Sequence, residues 1–251
     1  MKADSPRSHI EQITIEHLLT HTTGGWGYDP QDPMNLNREM NHRELITWTL
    51  EHMPLTIPPA KSFAYSNFGY CILGRVIEKL TGQTYEQYIK ENILKRYGIV
   101  DMQIAGNTLK DRATNEVKYY SQLGDPYRSN VARMDSDGGW IATPSDLTTF
   151  FVHIDGFKDT EQLLTNDTLR TMSTPTAANP QYAKGLFVDS RGNWGHGGLS
   201  DGAETISVRT NSDFCWSAFA NSRSTVRGMS GSFPLGQLVR HMVRSVADWH
   251  P

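Results

Sequence analysis

The apolar residues of this 251-residue chain repeat at two different intervals, and the change from one to the other limits what the chain can fold into. In the first half they recur three and four positions apart, the spacing of one helix face. Beyond about residue 180 the texture changes. GLFVDS, AETISVRT and FCWSAFAN are short runs rich in β-branched and aromatic residues, parted by Gly, Asn, Asp and Ser. Helices first, then a strand meander, argue an α+β fold.

The helical half carries its own punctuation. Thr14 is a candidate cap for a helix over Ile15–His21, stopped by Gly24-Gly25. Asn41 and Glu44 form a capping-box pattern ahead of Leu45, Ile46, Thr49, Leu50 and Met53, and Pro54 ends that run. From Ser66 the spacing predicts an apolar stripe of Phe68, Ile72, Leu73, Val76, Ile77 and Leu80, with Gly82 as the stop. Thr84 and Gln87 open a further helix that turns Tyr88, Ile89, Ile93 and Leu94 inward. Residues 98–135 read as loop. Thr143-Pro144-Ser145-Asp146 starts a helix through Val152, and Leu235–Trp249 closes the chain as an amphipathic one.

Composition narrows the function classes. A net charge of −3, with 37% hydrophobic and 20% charged residues, suits a globular domain and offers no field for nucleic acid or an anionic membrane. No apolar run approaches the roughly 20 residues of a membrane span, so no membrane segment is expected. MKADSPRSHIEQ lacks the apolar stretch of a secretory signal. The compartment stays open: cytoplasmic if Met1 is the true start, periplasmic or secreted if an N-terminal segment is missing. Cys71 and Cys215 read as buried small hydrophobes, with a single bridge between them as the alternative. Neither a cofactor nor a metal is expected.

Two stretches could carry chemistry. In FAYSNFGY, Ser66 is a natural N-cap, which puts Tyr65 just outside a helix N-terminus where unpaired N–H groups create positive potential. That field favours tyrosinate, the form a general base needs, and Asn67 adds an amide able to hold a carbonyl. In Trp194-Gly195-His196-Gly197-Gly198, read as opening the strand through Glu204–Val208, the glycines let a ligand approach the backbone. A free N–H there could meet a developing oxyanion, and His196 could donate to a carboxylate or carbonyl. The bland readings are a capped helix behind a packing aromatic, and a glycine-rich hairpin with a surface histidine.

Two rivals carry less. Gly198–Gly202 fits G-x-S-x-G, but a strand pattern follows it where a nucleophile elbow needs a helix. His17 and His21 stand four apart and could share a metal, yet no third ligand is suggested.

Taken together, four segments resemble the serine β-lactamase-like family of class C β-lactamases, D-Ala-D-Ala carboxypeptidases and related esterases. ITIEHLLTHTTGGW is similar to that family's ITIRHLLTHTSGL block, and FAYSNFGYCILGRVIEKLTGQTYEQYI to its YSN helix. DSDGGWIATPSDLTTFF resembles its AGG-x-x-ST-x-x-DL block, and WGHGGLSDGAETI its HGG variant of Lys-Thr-Gly. The matches span residues 13–209 in family order. Pro59-Ala60 stands where the family has Pro-Gly. A larger departure concerns the nucleophile, which in this family is the serine of Ser-x-x-Lys, about thirty residues before the first block. No serine of this chain has lysine three positions later.

The resemblance implies a β-lactamase/transpeptidase-like fold lacking its N-terminal strands and nucleophile helix. Residues 1–13 would be a lead, 14–135 a mainly helical lobe, and 136–251 a sheet lobe with the His196 strand and the terminal helix. It implies acyl transfer on a small-molecule acyl substrate or a peptidoglycan-like peptide. Tyr65 would be the base, Ser66 and Asn67 its loop partners, and His196, Gly197, Gly198 and Leu199 would form the substrate and oxyanion strand. The nucleophile would lie outside this chain, which alone should be inactive. A non-catalytic binding homologue is the alternative. An open edge at FCWSAFAN would invite self-association or a complementing chain.

Overall fold

The computed structural model describes residues 9–27, 32–158, 160–212, 214–223 and 234–246. Along them run helices α1 (Ile15–Leu19), α2 (Pro33–Leu36), α3 (His42–His52), α4 (Asn67–Thr81) and α5 (Tyr85–Asn92), then strands β1 (Gln103–Ile104) and β2 (Trp140–Ile141). Helices α6 (Pro144–Val152) and α7 (Asn166–Ser173) follow. Strands β3 (Phe187–Val188), β4 (Trp194–Ser200), β5 (Ala203–Arg209) and β6 (Cys215–Ala220) precede α8 (Pro234–Ser245). The fold is α+β, with a β1-β2 ribbon and an antiparallel sheet in the order β3-β4-β5-β6.

Local chemistry sets the helix starts. Thr14, Asn41, Ser66, Thr84 and Thr143 each accept a backbone N–H from their own helix, and the first, second and fifth complete a capping box. Gly82 ends α4 in the left-handed conformation, where a glycine pays no steric penalty.

Several expected boundaries shift. α1 stops at Leu19, not His21, because His21 takes a left-handed φ of 56° that no α-helix continues through. His17 and His21 therefore share no helix face, and the His17 ring instead accepts the Thr14 N–H. Leu80 is 80% exposed: the last turn of α4 runs past the core that its stripe covers. Trp194–Gly198 does not open the 204–208 strand but forms β4, a strand of its own. Ser200 pairs with Ala203 across the hairpin, so G-x-S-x-G is a turn between strands. The two thiols are free, with Cys71 buried and Cys215 only half-buried. Trp249 lies outside the described residues.

Three apolar clusters hold the chain. Trp26, Met34, Leu45, Leu55, Phe68 and Cys71 tie α2, α3 and α4 together, with Trp26 edge-on to Phe68 at 5.3 Å. Leu94, Ile99 and Met102 seat the β1-β2 ribbon. Phe151, Ile154, Leu186 and Trp194 join α6 to the large sheet. Side chains alternate along a strand. Trp194 and Cys215 therefore share the α6 face with His196, while Glu204 turns to α8 and accepts the Leu235 N–H at 2.8 Å. Among the described residues β6 pairs only with β5.

Thr20, His21, Thr22, Thr23 and Ser66 are polar and buried. Gly24 passes so close to Ile57 that an added Cβ would sit 1.9 Å from its carbonyl oxygen. Ala60 and Ala64 donate to Thr22 and His21 carbonyls at 2.8 Å each, which moors the stretch before Tyr65. His21 reaches inward from there. Its Nδ1 accepts the Ser66 N–H at 3.0 Å, and its Nε2 lies 3.0 Å from the Tyr182 hydroxyl. Burial, with His196 nearby, lowers its pKa to about 3. Asp32 accepts the N–H groups of Met34 and Asn67 at 2.9 and 2.7 Å, and burial raises its pKa to about 6.

Ala60, at the family's glycine position, has a φ of 65°. A left-handed alanine costs about 1–2 kcal/mol, part of which a glycine returns through unfolded-chain entropy. Ala60→Gly should stabilise the chain by about 0.5–1 kcal/mol in urea unfolding, and a loss would mean the methyl packs usefully.

His21 also predicts a pH dependence. Its folded pKa lies below its unfolded one, so its contribution is complete above pH 6.5 and shrinks as protonation of the unfolded chain sets in. The stability gap between the native chain and His21→Asn should narrow steadily from pH 7 to pH 5. Asp32, raised to about 6, works in the opposite sense and favours folding as pH falls below that value. A gap that stays flat would show that His21 charges as easily folded as unfolded.

Candidate functional site

The Tyr65 loop and strand β4 meet. Tyr65, Asn67, Tyr70, Asp137, Tyr182, Gly185 and His196 line one cleft of about 180 Å³. The rings of Tyr65 and His196, 131 positions apart in sequence, lie 6.2 Å apart. A larger hollow of about 380 Å³ runs along Pro144, Ser145, Thr148, Thr149, Val152 and His153 of α6 and its C-terminal end, and shares no residue with the cleft. Both have polar linings, but the smaller one gathers an acid, an amide, a histidine and three tyrosines.

Tyr65 is placed by its neighbours on either side. His21 lies against its ring at 4.2 Å, and Ser66 behind it is fixed as the α4 cap, its hydroxyl accepting the Gly69 N–H at 3.1 Å. The buried Ser66 hydroxyl is thus committed to the helix and forms no part of the cleft lining. Asn67, the first residue of α4, is held by its backbone N–H on Asp32, which leaves its side chain to line the cleft.

Tyr182 stands between the two histidines. An N–H can only donate, so the Ser66 N–H requires an unprotonated Nδ1 on His21. A neutral ring then carries its proton on Nε2 and gives it to the Tyr182 oxygen. The Tyr182 hydroxyl lies 3.3 Å from His196 Nε2. Burial, with Tyr70 and Tyr65 nearby, raises the Tyr182 pKa far above its ordinary value, so this hydroxyl keeps its proton. Burial lowers His196 to about 4, which makes it a neutral imidazole near pH 7: a hydrogen-bonding group, not a cation. Phe187 stacks on it at 5.0 Å.

Beyond His196, the next three residues of the strand are not among those lining the cleft. Gly197, Gly198 and Leu199 pair with Ile206, Thr205 and Glu204 of β5, and Leu199 is 48% exposed. On the other side β3 reaches only Trp194 and Gly195, so among the described residues no strand covers that edge from His196 onward. Thr205 Oγ1 would lie 2.8 Å from a Cβ at Gly198, so a side chain there would crowd the neighbouring strand.

Sequence reasoning passed over Asp32, Tyr182 and Asp137. Asp32-Pro33 is an N-cap followed by a first-turn proline and could have been found. Tyr182 sits in an irregular stretch with no local signal. Among the described residues no group of three or more His, Cys, Asp or Glu could hold a metal, and no helix is long and apolar enough to cross a membrane.

Comparison with known proteins gives the same frame. A sequence model of the family described as Beta-lactamase matches residues 4–237. Penicillin-binding protein 4* of Bacillus subtilis (strain 168) is 26% identical over 172 residues, which are 66% of this chain and 36% of that protein. The chain spans 24% to 36% of the length of this and other curated relatives. A D-stereospecific amidohydrolase from Streptomyces sp. superposes with a TM-score of 0.67 at 25% identity, covering 83% of this chain and 68% of that one. D-Amino acid amidase from Ochrobactrum anthropi SV3, solved with D-phenylalanine, reaches 0.73 over 96% of this chain and 73% of its own. At 20% identity that second likeness speaks for the fold alone. With its four motifs, its α+β architecture and a family match over most of its length, the chain belongs to the Beta-lactamase family of serine hydrolases.

Proposed function

We propose that the cleft is the base and substrate-binding part of an acyl-transfer site acting on an ester or amide carbonyl, as in a β-lactam, a D-alanyl peptide or a simple ester. One observation carries this reading: Tyr65 and His196 lie 6.2 Å apart in a cleft that Asn67 also lines. Tyr65 takes the proton of an attacking serine hydroxyl, as a base at hydrogen-bond reach can. Asn67 holds the substrate carbonyl side. His196, neutral and steadied by Tyr182, gives one N–H to a substrate carboxylate or carbonyl. The Leu199 N–H meets the oxyanion, with Gly197 and Gly198 keeping that backbone approachable. Ser66 shapes the loop. The nucleophile and its lysine lie outside these 251 residues, so the chain by itself is silent.

A second reading, a non-catalytic homologue that binds the same ligands, is favoured by one observation: no serine here has lysine three positions on. The likeness to a D-stereospecific amidohydrolase at 25% identity makes D-configured amides early candidates for either.

The purified chain should neither hydrolyse a p-nitrophenyl ester nor take up a fluorescent acyl-phosphonate. Turnover with an acylated serine would place the nucleophile inside the chain and sink this assignment. In a longer polypeptide that does turn over ester, Tyr65→Phe should cut kcat by about 10²–10⁴ with KM little changed. An unaltered kcat would return Tyr65 to a packing role.

A further inference from the structure

A single backbone donor sets the direction of every proton between Ser66 and His196. An amide N–H donates and never accepts, so the first bond, from Ser66 to His21 Nδ1 at 3.0 Å, cannot be reversed. Neutral His21 then carries its proton on Nε2 and gives it to the Tyr182 oxygen at 3.0 Å. With its oxygen accepting there, the Tyr182 hydroxyl still has its own proton to give. His196 Nε2 stands 3.3 Å away.

One other acceptor is near. Tyr70 lies within hydrogen-bond reach of Tyr182, and its own proton goes to the Leu19 carbonyl at 2.9 Å. Between a phenol oxygen and an unprotonated imidazole nitrogen, the nitrogen is much the stronger base. The Tyr182 proton therefore points to His196. Packing holds the side chain to that geometry, with the rings of Phe63, Tyr65 and Phe187 at 5.4, 6.0 and 5.1 Å from its own. Each hydrogen bond polarises the next, so a chain running one way is stronger than its separate links.

We infer that His21 and Tyr182 are positioning residues that hold His196 as its Nδ1–H tautomer, the reverse of His21's own. Tyr182 occupies Nε2 as a donor, and a neutral ring then has only Nδ1 to carry hydrogen. Burial lowers the His196 pKa, while the Gly197 backbone opposes it, the effect of a carbonyl that accepts from a ring N–H. Nε2 being taken, that N–H is the one on Nδ1. His196 thus meets whatever enters the cleft as a donor. A carboxylate or carbonyl oxygen suits this position, and an amine or amide N–H finds no partner on the ring. The use of that donor rests on the acyl-transfer reading. The tautomer does not, and it is read without substrate or turnover, so either idea can fail alone.

The test records the ring nitrogen-15 signals of the purified chain, labelled in its histidines, near neutral pH where both rings are uncharged. Protonated and bare ring nitrogens resonate far apart. The variants His21→Asn and His196→Asn identify the two rings among nine histidines by loss of signal. We expect hydrogen on Nε2 and a bare Nδ1 for His21, and the opposite for His196. Tyr182→Phe keeps the packing ring and removes the donor, and Tyr182→Met serves if that variant does not fold. In either variant the His196 signals should shift from the fixed Nδ1–H pattern to an averaged or Nε2–H one. His21, still bonded to the Ser66 N–H, should keep its own pattern, a separation that loss of packing alone would not produce. A native His196 with hydrogen on Nε2, or with both nitrogens averaged, overturns the inference. So does a His196 pattern that survives loss of the Tyr182 hydroxyl, or one that changes only together with that of His21.

Discussion

The structure around the cleft depends on one buried imidazole. His21 leaves the helical path at a left-handed φ of 56° and touches both partners that matter: the Ser66 N–H on one side and the Tyr182 hydroxyl on the other. Positive φ in a non-glycine residue costs free energy and persists only where surrounding contacts over-determine it. Here they do. The α4 cap, the Tyr65 ring and the Tyr182–His196 contact are all referred to this ring. Because His21 stays uncharged, it can accept from one group and donate to another, which an imidazolium could not do.

Asp32 does a related job by different means. A carboxylate that collects N–H groups from the starts of both α2 and α4 fixes where those two helices begin relative to one another. Arg133 meets the other end of α2 by donating to the Met34 and Asn37 carbonyls. Short elements that could not be stable alone are thus held by charged groups at their ends. The apolar cluster of Trp26, Leu45 and Phe68 supplies the burial beneath.

Much of this was legible in the sequence because it is local. Caps such as Asn41 with Glu44 and Ser66 announce themselves within four residues, and Gly82 marks its own helix end. The strands at 203–209 and 215–220 follow from their composition. What escaped was contact at long range. Nothing near Tyr182 tells that its hydroxyl will meet a ring 161 positions earlier. His21 could be set on one face with His17 only because helical spacing was extended two residues too far. Trp194–Gly198 looked like a lead-in because its three glycines hide a strand that pairing with β5 enforces. Ser66 and Asn67 stand side by side in sequence but divide on folding, one hydroxyl turned into the scaffold and one amide into the cleft.

The free thiols give the folded chain an unexpected chemical quiet. Burial raises Cys71 to about 12, and burial with Asp155 beside it does the same for Cys215. Nucleophilic attack and oxidation proceed through the thiolate, of which almost none exists at neutral pH at either position. Cys71 lies on the buried face of α4, in the cluster that supports the Tyr65 loop, while Cys215 opens the last strand of the sheet. The two regions that frame the cleft each contain one dormant sulfur, so a sulfhydryl reagent that reacts at either reports local opening of that region.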